Sequence, residues 1–209
     1  MEQKTVVCIF DNRDHREPEE RLALAAKKAF GIEASPVTWE LLRGKKGKPF
    51  FLYHPELFLS ISHSGPYWIC ALSGERIGVD IQQQAVKRGE SRQAAEARLL
   101  RMAQRHFEPE ESNYVENGRF GSPYQRFFEI WAAKESYVKY TGQGIDGGFG
   151  RFSTAPEEGG IIRSRLPWTA SGVWFWEETV GENYILCVCT RREKEICVEW
   201  MTDGLSAGE

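Results

Sequence analysis

Residues 57–62 (LFLSIS) and 67–73 (YWICALS) are strand-type runs flanking the turn His63-Ser64-Gly65-Pro66, and they read as two antiparallel strands. A second such pair, 172–180 (GVWFWEETV) and 183–190 (NYILCVCT), flanks Gly181-Glu182. Single strand-type runs occur at 5–10 (TVVCIF), 76–82 (RIGVDIQ) and 195–201 (EICVEWM). Helical periodicity appears over 18–30, 91–107 and about 123–140, with Pro18, Pro123, Gly31 and Gly142 at the expected ends. Hairpins interleaved with helices predict an α+β fold rather than strict βαβ alternation. Each half carries strands and a major helix. The polar stretch after Gln82 suggests a division into residues 1–88 and 89–209, with the site between the halves. Residues 108–122 read as a polar loop, and 142–150 as a Gly-rich one.

At 209 residues and 41% hydrophobic content, the chain can bury a core. The net charge of -3 argues against a nucleic-acid partner held by bulk positive charge. No apolar run approaches a membrane span, and the N-terminus lacks a signal-peptide layout. The five cysteines are irregularly spaced, with Cys187 and Cys189 as C-x-C, and reduced thiols in a cytoplasmic protein are expected.

Four clusters could carry chemistry. In Gly78-Val79-Asp80-Ile81-Gln82 an acid interrupts an apolar strand, which is costly unless the acid is paired or bound to a metal. Asp80 and Gln82 share a strand face, and two oxygen donors there suit Mg²⁺. A strand-end acid capping a turn is the alternative. In Trp131-Ala132-Ala133-Lys134-Glu135-Ser136-Tyr137-Val138-Lys139, Glu135 and Lys139 share a helical face beside an apolar stripe, which also describes a surface ion pair. In Ser60-Ile61-Ser62-His63-Ser64-Gly65, His63 sits at a strand end. A Ser–His hydrolase is disfavoured, because adjacent strand residues face opposite ways and no G-x-S-x-G elbow is present. Arg43-Gly44-Lys45-Lys46-Gly47-Lys48-Pro49 could approach a phosphate or be a solvated basic loop; it is not a P-loop.

In order, Gly47-Lys48-Pro49, Ser62-His63-Ser64-Gly65, Gly78-Val79-Asp80-Ile81 and Trp131 through Lys139 resemble the 4′-phosphopantetheinyl transferases of the surfactin-synthetase-activating type. The resemblance runs from about residue 13 to about 190. It implies a pseudo-dimer of two similar α+β halves, with coenzyme A and Mg²⁺ between them. It implies transfer of the phosphopantetheine arm of coenzyme A to a serine of an apo acyl or peptidyl carrier protein, releasing 3′,5′-ADP. On this reading Asp80, Glu135 and Lys139 are catalytic. Asp80, Glu135 and Gln82 hold the metal. Arg16, Lys48, Ser62, His63, Lys134 and Lys139 contact coenzyme A. A monomer with no nucleic-acid or membrane partner is expected, and carrier recognition is assigned to surface loops such as 108–122. Many relatives carry an acid where this chain has Gln82. A degenerate module that binds coenzyme A or a carrier without turnover is the alternative; an unrelated α+β protein with accidental motifs is the remaining one.

Overall fold

The computed structural model describes residues 5–32, 40–118, 121–144, 149–155 and 168–201. Two four-stranded sheets dominate it. The first is built from β1 (Thr5–Asp11), β4 (Phe58–Ser64), β5 (Tyr67–Ser73) and β10 (Ile196–Trp200), in the order β10-β1-β5-β4. The second is built from β6 (Ile77–Gln83), β7 (Trp168–Ala170), β8 (Val173–Val180) and β9 (Tyr184–Thr190), in the order β6-β9-β8-β7. A small hairpin, β2 (Leu41–Arg43) with β3 (Pro49–Phe51), carries the basic segment at its turn. The helices are α1 (Pro18–Phe30), α2 (Arg92–His106), α3 (Pro109–Asn117) and α4 (Pro123–Thr141).

The apolar run in β1 is explained by burial on both faces. Val6, Cys8 and Phe10 pack toward Leu22, Ala25 and Ala26 of α1. Val7 and Ile9 pack with Ile69 and Ala71 against Val79, Ile81, Leu186 and Val188 of the second sheet. The outer face of that sheet, with Ile185, Cys187 and Cys189, packs on Ala132 and Ala133 of α4. The layers are therefore α1, first sheet, second sheet, α4, with α2 and α3 against α4. The hairpin turns also interlock. Gly65 and Gly181 both have positive φ, and Tyr67 and Tyr184 pack edge-to-face with centroids 4.8 Å apart. A Cβ on Gly65 would strike Tyr184 Oη, and one on Gly181 would lie 2.9 Å from Tyr67 Oη.

The helix ends follow their sequence signals. Ser122 accepts from the Gln125 amide as an N-cap, Pro123 opens α4, and Gly142 closes it in the left-handed region. Three expectations change. The span 108–122 contains α3: Glu108 and Glu111 form a reciprocal capping box around Pro109, and Tyr114 and Val115 are buried. Capping by two glutamates with few apolar positions looks like a solvated loop in sequence. The basic segment 43–49 contains the end of β2 and the start of β3 as well as their turn. The division at 88/89 does not separate the sheets, because β6 pairs with β9 while β10 returns to pair in parallel with β1. The chain first passes from one sheet to the other in the short turn between Ser73 and Ile77, where Glu75 pairs with Arg192 and Lys194. Residues 145–148 of the expected Gly-rich stretch, and 119–120 of the expected loop, lie outside the described residues.

Candidate active site

β4 and β6 are edge strands of different sheets and meet along a seam. Buried edge amides need partners. Here alternate serines of β4 supply them: the hydroxyls of Ser60, Ser62 and Ser64 accept from the amides of Val79, Ile81 and Gln83 at 3.0, 3.4 and 3.1 Å. The S-x-S-x-S alternation is the sequence trace of this seam. On the other side α4 lies directly on β6. A Cβ at Gly78 would overlap Ser136 O and Tyr140 N, so only glycine allows that approach.

These two contacts fix Asp80, which is 2% exposed. Its Oδ1 accepts from Ser62 Oγ and from Lys139 Nζ, both at 2.7 Å. Its Oδ2 accepts from Gln82 Nε2 at 2.7 Å, as expected for two residues sharing a strand face. Glu135 stands one turn before Lys139 on α4. Burial pushes its carboxyl above the ordinary range, the negative charge of Asp80 adds to this, and Lys139 opposes it. Two carboxylates, one buried and one resisting ionisation, are a donor set that a dication would stabilise. Among the described residues no cluster of three or more His, Cys, Asp or Glu side chains could hold a metal. A cation here would therefore rely on Asp80, Glu135 and neutral oxygens.

Beside this group opens a cleft of about 420 Å³, lined by Arg43, Lys46, Lys48, His63, Trp68 and Lys139 among others, with no carboxylate side chain among the described residues of its lining. Such a surface suits a polyanion. His63 is exposed and faces this cleft, in keeping with its strand-end position.

The structure redirects several expected coenzyme A contacts. Lys134 is fully buried and pairs with Glu111 Oε2 at 2.7 Å, while also donating to the carbonyls of Phe149 and Phe152 at 2.6 and 2.7 Å. Its three protons are spent inside the protein, so it does not reach the cleft. Ser62 is 7% exposed and is used by Asp80 and the Ile81 amide. Lys48 lines the cleft, yet its ammonium donates to the carbonyls of Ile77, Lys139 and Tyr140 at 3.1, 2.6 and 3.1 Å. It ties β6 to the C-terminus of α4. Burial holds its pKa down to about 8, against the pull of carbonyls at the negative end of a helix. Arg16 lies just before α1, where its amide donates to Asp14 at 3.1 Å, and it is not among the cleft-lining residues; Pro18 is. Glu111, in the span read as a loop, is a buried charge that no local sequence signal singles out.

Residues 76–189 match the sequence profile of the 4′-phosphopantetheinyl transferase superfamily. The chain is 27% identical over 165 residues to a 4′-phosphopantetheinyl transferase of Bacillus subtilis, covering 79% of this chain and 68% of the relative. It is 31% identical over 190 residues to a Synechocystis protein whose name places it with the same enzymes, covering 84% and 72%. Against Sfp of Bacillus subtilis strain 168, the figures are 27% over 143 residues, 68% and 59%. The matched span opens at the turn before β6 and takes in Asp80, Glu135 and Lys139, so it contains the β6 side of the seam and the helix packed on it, while the serines of β4 precede it. The chain belongs to the 4′-phosphopantetheinyl transferase superfamily.

Proposed function

We propose that this protein transfers the 4′-phosphopantetheine arm of coenzyme A to a serine of an apo acyl or peptidyl carrier protein, releasing 3′,5′-ADP. The observation that carries this is the position of Lys139. It lines a basic cleft while its ammonium touches Asp80, and it shares its helical face with Glu135. The transfer breaks the pyrophosphate bond of coenzyme A and forms a bond from the carrier serine to phosphorus. Such a step needs positioning and charge neutralisation more than covalent help from the protein. Glu135, with its raised proton affinity, takes the proton of the attacking hydroxyl. Lys139 faces the charge that develops on the departing phosphate. His63 contacts a coenzyme A phosphate at the cleft wall.

Mg²⁺, when bound, neutralises pyrophosphate charge at this site. Asp80 and Glu135 would hold it, and the Gln82 amide would have to turn its carbonyl toward it. This reading rests on the buried Asp80 carboxylate and the neighbouring half-buried Glu135, whose proton affinity the charge of Asp80 helps to raise.

We also read the chain as a pseudo-dimer. Strands β1-β5-β4 and β6-β9-β8 have the same order, each first strand leading into helix and returning as a hairpin. The reciprocal Gly65–Tyr184 and Gly181–Tyr67 contacts support an approximate dyad. The halves then divide before β6, with β10 and β7 as additions. We place the protein in the cytoplasm as a monomer without nucleic-acid or membrane partners. The free state of all five cysteines accords with that compartment.

The test is incubation with coenzyme A, Mg²⁺ and a panel of apo carrier proteins, reading carrier mass. A gain equal to the phosphopantetheine arm is expected. Coenzyme A binding with no gain on any carrier would refute the reading.

A further inference from the structure

The lysine that precedes Glu135 is a charge buried where a packed helix ordinarily places an apolar side chain. Lys134 and Glu111 are both 0% exposed and lie 2.7 Å apart. Neither has spare capacity. Glu111 Oε1 accepts from the amide and hydroxyl of Thr154, each at 2.7 Å. Its Oε2 accepts from the Glu108 amide at 2.9 Å as well as from Lys134. Lys134 fills its other two donor positions with the carbonyls of Phe149 and Phe152. One ion pair thus fastens three separate pieces: α3, the segment around 149–154, and α4.

A buried pair of this kind adds little net stability over an apolar pair of equal volume. What it can do is select one register, because a half-satisfied alternative is costly. The register here bears on the active face of α4. Phe149 packs edge-on against Trp131 at 4.9 Å, and Phe152 stacks on Tyr137 at 4.4 Å. Trp131 is one helical turn before Glu135, on the stripe that continues to Lys139. The two carbonyls held by Lys134 belong to these same two phenylalanines.

We infer that Glu111 is a positioning residue: through Lys134 and the Phe149 and Phe152 backbone, it sets the register of α4 that presents Glu135 and Lys139 to the cleft. This rests on the transfer activity proposed above. Most of the basic cleft wall, Arg43 to Pro49 with His63 and Trp68, comes from β2 to β5 and is not touched by the clasp, so coenzyme A affinity should change less than turnover.

The experiment compares transfer kinetics and thermal midpoints of wild type, Glu111→Gln, Lys134→Met, the double variant and Glu111→Asp. Each single variant that strands a buried charge or polar group loses thermal midpoint. The double variant removes both charges and recovers most of it. Its kcat is expected to stay about tenfold or more below wild type, with KM for coenzyme A within about twofold, because nothing then selects the register. A purely structural role predicts the opposite: kcat returns with the thermal midpoint, and that result would overturn the inference. Should the double variant not fold, Glu111→Asp decides, assayed well below its midpoint. It keeps both charges but shortens the clasp by one methylene, and kcat within about twofold of wild type would count against the inference. An inactive wild type would instead refute the proposed function, so the two failures are separable.

Discussion

Lys139 Nζ lies 2.7 Å from Asp80 Oδ1, so the cation of α4 is engaged by an acid of the neighbouring strand. A Glu–Lys pair four apart on a helix suggests a solvated surface bridge. Here the lysine side chain is only 28% exposed and reaches across the α4–β6 contact to a carboxylate with 3% exposure. The pair therefore joins the helix to the strand at the point where the basic cleft opens.

Lys139→Ala is expected to lower turnover by about a hundredfold or more, because it removes the charge facing the phosphate that departs. Lys139→Arg should restore only part of it, since a guanidinium fork does not reproduce a compact ammonium. Transfer rates, with circular dichroism as a folding control, check this. Near-wild-type turnover in folded Lys139→Ala would reduce the contact to a structural bridge.

Gln82 donates its amide to Asp80 and so favours the metal-free arrangement. Gln82→Glu would set a third acid against Asp80 and Glu135. We expect a lower thermal midpoint without metal, a larger rise on adding Mg²⁺, and half-activation at lower Mg²⁺ than wild type. An unchanged Mg²⁺ response in both measurements would mean that position 82 has no part in holding a cation.

Much of the fold and site is legible in the sequence because the relevant signals are local. The acid at Asp80 stands out inside an apolar strand, the S-x-S-x-S alternation announces a polar face on β4, and α4 carries its caps in Ser122, Pro123 and Gly142. What is not legible depends on long-range pairing. Lys134 and Lys139 are equivalent in sequence, both lysines near a glutamate on one helix. Only the location of Glu111 and of the Phe149 and Phe152 carbonyls decides that one is buried and the other lines the cleft. Lys48 follows the same logic: its neighbours in sequence suggest a phosphate contact, whereas its three acceptors come from the start of β6 and the end of α4, far along the chain. The placement of β6 is hidden for a similar reason, since a strand's own residues do not reveal which sheet it joins.

The raised proton affinity of Glu135 has two consequences of known sign. In catalysis, the rate should rise with pH as Glu135 ionises, with the acid limb above the ordinary 4.5 of a glutamate and moving lower as Mg²⁺ is added. In stability, the folded state binds more protons than the unfolded one between 4.5 and the raised value. Stability contributed by this group is therefore lost as pH rises through that window. Glu135→Gln should abolish that slope. Chemical denaturation at a series of pH values, without metal, measures the difference; identical slopes for the two proteins would show that Glu135 titrates normally.

Gly78 is the residue on which the distance between β6 and α4 depends. A Cβ there would overlap Ser136 O and Tyr140 N and lie 2.9 Å from Tyr140 Cα, all backbone atoms that cannot rotate aside. Gly78→Ala must push the helix off the strand. Overpacking usually costs about 1–3 kcal/mol, and contact with backbone should place this variant at the upper end or beyond. The displacement also acts on function, because the Lys139–Asp80 contact spans the same gap. We expect turnover to fall by about a hundredfold even below the lowered thermal midpoint, as an ångström of misplacement can do. The control is Gly89→Ala: that glycine has positive φ, but a Cβ added there would meet nothing within 4 Å, so the change costs backbone strain without moving α4. Its turnover should stay close to wild type. Equal loss of turnover in the two variants would show that general destabilisation, and not the spacing of α4 from β6, accounts for the effect at Gly78.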